Sequence, residues 1–560
     1  MTAPTTGPVT GMPAGIAGLV TAHTLLNCLV REVCAPEGQT AIAGRHLLLR
    51  LPRCGVLLRV AVRRASMIGA HRFSGPVERH DGLTWRPIGW HELACCVRDE
   101  LEVRTGTGNE EFLDQVANSH EVIGIAVAGR ARRSPPRQPY LESEQSLIYG
   151  HRFHPTPKAR SGDVRRWLLH GPETGARFPL RYLAVRPDLL TGEGDHRMLD
   201  RLHPLPDREA ALLPAHPWQY RMLLEHPGLR RALERRQIRD LGSGGPVFAA
   251  TASVRTLYQP TLDVFLKFSL DVRLTNCVRR NALYELSGAV VLNRIVQPVF
   301  AELALRFPGC GILAEFGYRS LDLYGDRDVV EGFGVIVREG LRSHLLPGVT
   351  PLLAAAVADE YPTSAAQVSR LLALGDGDAL AWWDTYLGLL LPPVLAAFFE
   401  YGVVLEPHLQ NVVVGVHADG TPAQVLFRDL EGVKLLPGHH RSTLAELPAD
   451  VREPLTYDAA RGWNRVAYCL LVNHVAEMLA ALADLHPALE PELWARVRDH
   501  LDKYARHVGN PPQLRALLSG VPLPAKANLL LRWAREADRH AGYVALPHPL
   551  GRTLTQEATR

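Results

Sequence analysis

Lysine is almost missing from this chain. Only five lysines stand among 62 basic residues, so positive charge is carried by arginine. A solvated surface uses both residues freely, so each remaining lysine asks for a reason. Cysteine is also sparse, at eight, with no CxxC spacing; only Cys95 and Cys96 are close. That excludes a disulfide framework and a thiolate zinc site, and fits reduced thiols in a cytoplasmic protein. Charge of one sign is lacking too. A net charge of +4 over 560 residues excludes a general nucleic-acid binder, which shows a strongly basic domain. Long apolar runs are short of a membrane span. The longest candidate, YLGLLLPPVLAAFF (386–399), carries two prolines and reads as two helices meeting at Pro392–Pro393. The N-terminal MTAPTTGPVTGMPAG has no basic region followed by an apolar core, so it reads as a disordered lead-in over 1–15 rather than a signal peptide.

The length exceeds the roughly 250–300 residues that one core supports, so several domains are expected. Residues 16–34 have helical periodicity, and 46–64 form two apolar runs around Pro52–Gly55, a hairpin pattern. Helices are expected near 90–101 and 109–128, then a break at GRARRSPPRQP (129–139). The middle third mixes strands around 247–275 and 332–338 with helices near 220–236 and 278–306. A second boundary falls near SHLLPGV (343–349) or the GDGD run (375–378). Beyond it, 379–402 and 463–485 are strongly helical and enclose one small β unit.

That unit, LEPHLQNVVVGVHADGTPAQVLFRDLEGV (405–433), has strands either side of HADGTPA, where Asp-Gly favours a hairpin. Pairing the strands brings Glu406, His408, Gln410 and Asn411 to Arg428, Asp429 and Glu431. Such an oxygen cluster suits Mg²⁺ and nucleotide phosphates. Solvated hairpin ends are the plainer alternative. A second cluster, TASVRTLY (251–258) and FLKFSLDVRLTNCVRRN (265–281), offers Ser253, Arg255, Thr256, Lys267 and Arg279 for an anion. A third, GHRFHPTPKARSG (150–162), gathers His151, His154, Lys158 and Arg160 on a proline-stiffened loop. Two histidines three apart without a third ligand make a weak zinc site. PLPAKANLLLRW (522–533) places Lys526 at the start of an apolar helix. Four of the five lysines (158, 267, 434, 526) thus lie in or beside these segments, and Lys503 does not.

Taken in order, EQxxxxGHxxHPxxKxRxG (144–162), SxRT (253–256), LKxSLxxxLTNxxR (266–279), ExHxQN (406–411) and RDxEG (428–432) resemble the IucA/IucC family of siderophore synthetases. The resemblance runs from about residue 140 to the C-terminus; the first 130 residues carry no motif. It implies an α+β cupped hand: a thumb over 1–140, fingers with a mixed or antiparallel sheet over 141–375, and a mostly helical palm with a kinase-like hairpin over 376–560. It implies ATP-dependent adenylation of a carboxylate, typically citrate, and capture by an amine or alcohol with release of AMP and pyrophosphate. Ser253, Arg255, Thr256, Lys267, Arg279, His408, Gln410 and Asn411 look like ATP contacts, with Arg279 and His408 the groups that hold charge during reaction. Glu406 and Asp429 look like Mg²⁺ ligands. His154, Lys158, Arg160 and Lys526 look like the acid-binding surface, and either His408 or His154 could take the amine's proton. The resemblance leaves a homodimer open. Two departures stand out: Arg152 where the family commonly has proline, and Pro407 where it has a small residue. A kinase-like phosphotransferase and a non-catalytic citrate or ferric-citrate binder remain as alternatives, although LGSGGP (241–246) is no kinase phosphate loop.

Overall fold

Alternating apolar residues before and after Pro52–Gly55 make the first hairpin. Strand His46–Leu51 pairs antiparallel with Val56–Arg64, Leu51 opposite Val56, and Gly55 takes φ +68° in the turn. In this computed structural model, which describes residues 13–132, 136–162, 164–205, 209–274, 277–359, 367–536 and 542–551, that hairpin grows into a five-stranded antiparallel meander. Most of the expected lead-in, together with Thr275 and Asn276, lies outside the described residues. Helices Trp90–Thr105 and Glu111–Arg130 cover the meander, the first longer than periodicity suggested and the second shifted by two residues.

The middle of the chain builds an eight-stranded sheet in which every neighbouring pair is antiparallel. At its centre, strand Val264–Phe268 is buried at all five positions, with Lys267 opposite Thr256 on one side and Ile336 on the other. The β unit of 405–433 folds as its Asp-Gly turn dictates: Val412–Val416 pairs with Pro422–Phe427, and Gly420 sits at φ +81°. These two strands recruit Thr350–Leu353 and, in parallel, Cys310–Ile312.

The hydrophobic cores do not divide at 140 and 375. The largest joins Leu292–Leu303 of helix Leu283–Arg306 and the strands at 310–312 and 350–353 to the C-terminal helices. The N-terminal core takes in Leu529 and Trp533 from the far end of the chain. Burial of apolar area, not sequence order, decides which surfaces join.

Three sequence expectations change. Residues 379–399 form a single helix that runs through Pro392 and Pro393. Thirteen of its side chains are buried, and that burial outweighs the roughly 3 kcal/mol cost of an interior proline. Asp378 caps its start by accepting from the N–H groups of Leu380 and Ala381. Lys526 ends a short strand, Leu523–Lys526, and the helix begins only at Asn528. Apolar helices also reach membrane-spanning length: Gly15–Cys34, Leu283–Arg306 and Ala459–Leu485 meet that criterion by length and composition among the described residues. The first and third are 72% and 89% buried within the protein, as helices apolar on all sides must be; the second is 39% buried and lays one face on the C-terminal core.

Candidate functional site

One residue binds the first of the motifs to three others. Glu144 sits fully buried at the end of helix Pro139–Glu144. Its carboxylate accepts from the guanidinium of Arg428, from Tyr140 Oη at 2.5 Å and from the N–H of Ala252 at 2.9 Å. Arg428 in turn donates to the carbonyl of Gln410 at 2.7 and 3.0 Å. The loops at 252–255, 410–411 and 428–431 are therefore fixed to one another before any ligand arrives.

They enclose a cavity of about 1070 Å³. Its wall contains Ser253, Arg255, Lys267 and Arg279 from the middle of the chain, and Glu406, His408, Gln410, Asn411 and Asp429 from the β unit. It also contains His154, Lys158, Arg160 and Lys526. Among the expected residues only Thr256 is not on the wall. It is buried in strand Thr256–Gln259, where its N–H donates to Ser253 Oγ at 3.2 Å and steadies that loop.

The backbone at Val254 adopts φ +67°, a left-handed conformation that a β-branched residue rarely accepts. Such a residue costs on the order of 1–3 kcal/mol and persists only where its surroundings impose it. Here Val254 packs among Trp167, Trp218, Leu270 and Val272, while its N–H donates to Thr251 at 2.8 Å. The turn delivers Ser253 and Arg255 to the cavity. Asp429 likewise stands at φ +77°, which aspartate tolerates better, directly after the hairpin.

Charge is concentrated at this end. Lys267 Nζ donates to Asp429 Oδ1 at 2.5 Å and lies 2.7 Å from Glu431 Oε2. Arg255 donates to Glu431 at 2.5 Å and to Asn281 Oδ1 at 2.6 Å. Arg338 lies 3.3 Å from Asp429 and 2.5 Å from Glu315. Burial pushes the carboxyls up, but Lys267 and Arg338 hold Asp429 well below the usual range, and Arg255 and Lys267 bring Glu431 down to about 2. Lys267 is raised because the two carboxylates outweigh its desolvation. Glu285 goes the other way: burial and the nearby Glu431 charge push it up to about 7. Burial lowers His408, which is neutral at pH 7.

The loop 150–162 differs from the bare cationic patch that its composition suggested. Lys158 and Arg160 both donate to Glu173, Arg160 at 3.1 Å, and all three side chains are buried. Lys158 also donates to the Leu147 carbonyl at 2.5 Å. Burial opposes the charge on Glu173, but two cations bring it down to about 2. Lys158 is lowered by burial, since it shares its one carboxylate with Arg160. The set keeps one net positive charge rather than two. His154 Nδ1 accepts from the Thr156 N–H at 3.2 Å and braces the loop.

Sequence reasoning left Glu431 unassigned and passed over Glu173, Glu285, Arg465 and His474. Arg465 lies 3.4 Å from Glu406. His474 is wholly buried; its Nδ1–H donates to the Pro407 carbonyl at 2.7 Å and its Nε2 accepts from Tyr386 Oη at 2.5 Å. It thereby holds the turn that carries Glu406 and His408. His474 was hidden because 463–485 reads as a core helix, whereas Ala467–Val475 is π-helical and shifts the facing residues.

Comparison with known proteins gives this cavity a class. Residues 139–359 match the IucA/IucC family model, and 380–541 match one described as ferric iron reductase FhuF-like transporter. The L-2,3-diaminopropanoate–citrate ligase of Staphylococcus aureus is 29% identical over 437 residues, covering 73% of this chain and 74% of that protein. The rhizobactin siderophore biosynthesis protein RhbC of Rhizobium meliloti is 27% identical over 598 residues, covering 97% and 99%. The structure of ATP-bound aerobactin synthetase IucA from Klebsiella pneumoniae superposes with a TM-score of 0.85 at 26% identity, covering 95% of this chain and all of that one. The fold is that of a siderophore-building ligase. Over residues 139–359 the chain is similar to the IucA/IucC family.

Proposed function

We propose that the cavity binds ATP at its Lys267–Asp429 end and a citrate-type acid beside it, adenylates the acid, and transfers the acyl group to an amine. The observation that carries this reading is convergence. Segments 144–160, 253–279, 406–431 and 526 line one cleft, with arginine and lysine facing carboxylates across it. A carboxylate must approach a polyphosphate of like charge, and fixed cations in a water-poor site offset that repulsion without reorganising. The relatives named as citrate ligases and the ATP-bound synthetase support the choice of acid and nucleotide.

Asp429, Glu431 and Glu406 have the donor chemistry of Mg²⁺. Among the described residues no three acid, histidine or cysteine side chains form a complete metal group. Carboxylate oxygens of this kind suit an ion that also takes oxygens from phosphate and water, as Mg²⁺ does. When bound there it would neutralise phosphate charge and orient the chain of phosphates. Arg255, Lys267 and Arg279 hold the nucleotide's anionic oxygens. An acid oxygen forms a bond to the α-phosphorus as the bond to pyrophosphate breaks, and Arg279 and His408 stabilise the charge on that phosphorus. Lys158, Arg160 and Lys526 keep the acid's other carboxylates in place. Neutral His408 then accepts the proton that the attacking amine loses, while AMP departs with the bonding pair. A cytoplasmic setting agrees with the free thiols of the seven cysteines whose side chains are described.

Phosphorus NMR of turnover with ATP, Mg²⁺, citrate and a diamine separates the rivals. AMP and pyrophosphate are expected. Acceptor-dependent ADP would replace the ligase with a phosphotransferase.

A further inference from the structure

The acceptor amine has no assigned place in the cavity. Part of its wall is made by His151 and Arg152, which lie against Asn473 and Glu477. Glu477 is 9% exposed. Its Oε2 lies 3.3 Å from Arg152 Nε, while its Oε1 has no hydrogen-bond partner among the described residues. Leaving a buried carboxylate oxygen unpaired is costly, the more so for a charged group, so it marks a place where a donor belongs. Glu477 nonetheless remains ionised, because Arg152, Arg72 and Arg31 outweigh its burial. The missing partner is therefore a strong donor, best met by an ammonium group.

The surroundings restrict what carries that ammonium. Asp484 and Glu490 already engage Arg64 and Arg72. Arg63 also lies 3.8 Å from Asp484, and Arg31 and Arg152 both act on Glu477, so arginines outnumber carboxylates in this group. Arg31 lies over the Phe153 ring, and its Nη2 has no partner among the described residues. His151 adds no charge; burial brings it down to about 4, and its Nε2 lies 3.1 Å from Asn473 Oδ1. A polyamine would meet net repulsion here. A group carrying one ammonium and one carboxylate would meet both signs at once.

We propose that Glu477 and Arg152 form the acceptor subsite, Glu477 taking the ammonium and Arg152 the carboxylate of an α-amino acid that bears a second amine. This rests on the ligase reading above. The second amine, as free base, forms the C–N bond to the activated acyl carbon. The acyl C–O bond to phosphate breaks with its electron pair leaving on AMP, and the amine's proton passes to a neutral imidazole. His151, Arg152 and Glu477 share one cavity wall with His408, so the subsite opens onto the reacting centre.

Matched pairs test the idea on the unmodified enzyme: 2,3-diaminopropanoate against 1,2-diaminoethane, and ornithine against 1,4-diaminobutane. Each pair differs only by the carboxylate. Amine-dependent AMP release with ATP, Mg²⁺ and citrate should give the amino acid at least a ten-fold higher kcat/KM in one pair or both. Equal or better use of the plain diamine in both pairs overturns the proposal. Glu477→Gln should lower the acceptor's kcat/KM, mainly through KM, at least ten-fold more than it lowers acid-dependent ATP–pyrophosphate exchange, a half-reaction that needs no amine. Equal losses in the two overturn it as well. If the unmodified enzyme exchanges pyrophosphate with no acid at all, the ligase reading itself fails and the acceptor subsite falls with it.

Discussion

Glu144 and Arg428, 284 residues apart in the chain, form a buried ion pair whose remaining bonds reach Tyr140, Ala252 and Gln410. The pair joins loops that belong to separate sheets. Breaking it by Glu144→Gln strands a buried guanidinium and should cost on the order of 3–5 kcal/mol. Urea unfolding would show the loss as a lowered midpoint. A midpoint within experimental error of the unmodified protein would mean that the loops are held by something else.

A different carboxylate sets the response to acid. Glu173 is ionised in the folded protein down to about pH 2, against 4.5 ordinarily. Its folded value is depressed, so its contribution is present above pH 4.5 and is lost as the pH falls through the window toward 2. Glu173→Gln should be less stable at pH 7, because Lys158 and Arg160 are left buried without a counter-charge, and should show a flatter stability profile between pH 4.5 and 2. Thermal unfolding across that range measures both.

Much of this was written in the chain, and some could not be. The hairpin at 405–433 was legible because Asp-Gly has few backbone options between two valine-rich strands. Lys267 was legible because lysine is scarce and its neighbours are apolar. Glu173 was not: a lone acid in GPETG has no periodicity to betray that it would meet a lysine fifteen residues earlier. His474 and Glu477 were hidden by the π-helical stretch, since a 3.6-residue period places them on the wrong face. The unbroken helix through Pro392–Pro393 depended on burial that no local rule contains.

Removing divalent metal should separate activity from folding. The carboxylates of Asp429 and Glu431 are already offset by Lys267 and Arg255. Chelation is therefore expected to abolish adenylation while the melting temperature shifts by less than about 2 °C, where loss of a structural ion would unfold the protein. A large drop in melting temperature on chelation would contradict this.

Lys267 holds two carboxylates that would otherwise repel each other and the nucleotide. Lys267→Met should reduce exchange by about 10²–10³-fold, the range for losing one preorganised charge-stabilising group. The nucleotide affinity from calorimetry would show whether the loss lies in binding or in turnover.

The most direct test of the account is acid-dependent ATP–pyrophosphate exchange by the purified protein across di- and tricarboxylic acids, with Arg279→Ala and His408→Ala alongside. The account predicts exchange with citrate or a close derivative, and a loss of at least 10²-fold in each variant. Exchange at the unmodified rate in both variants would contradict it.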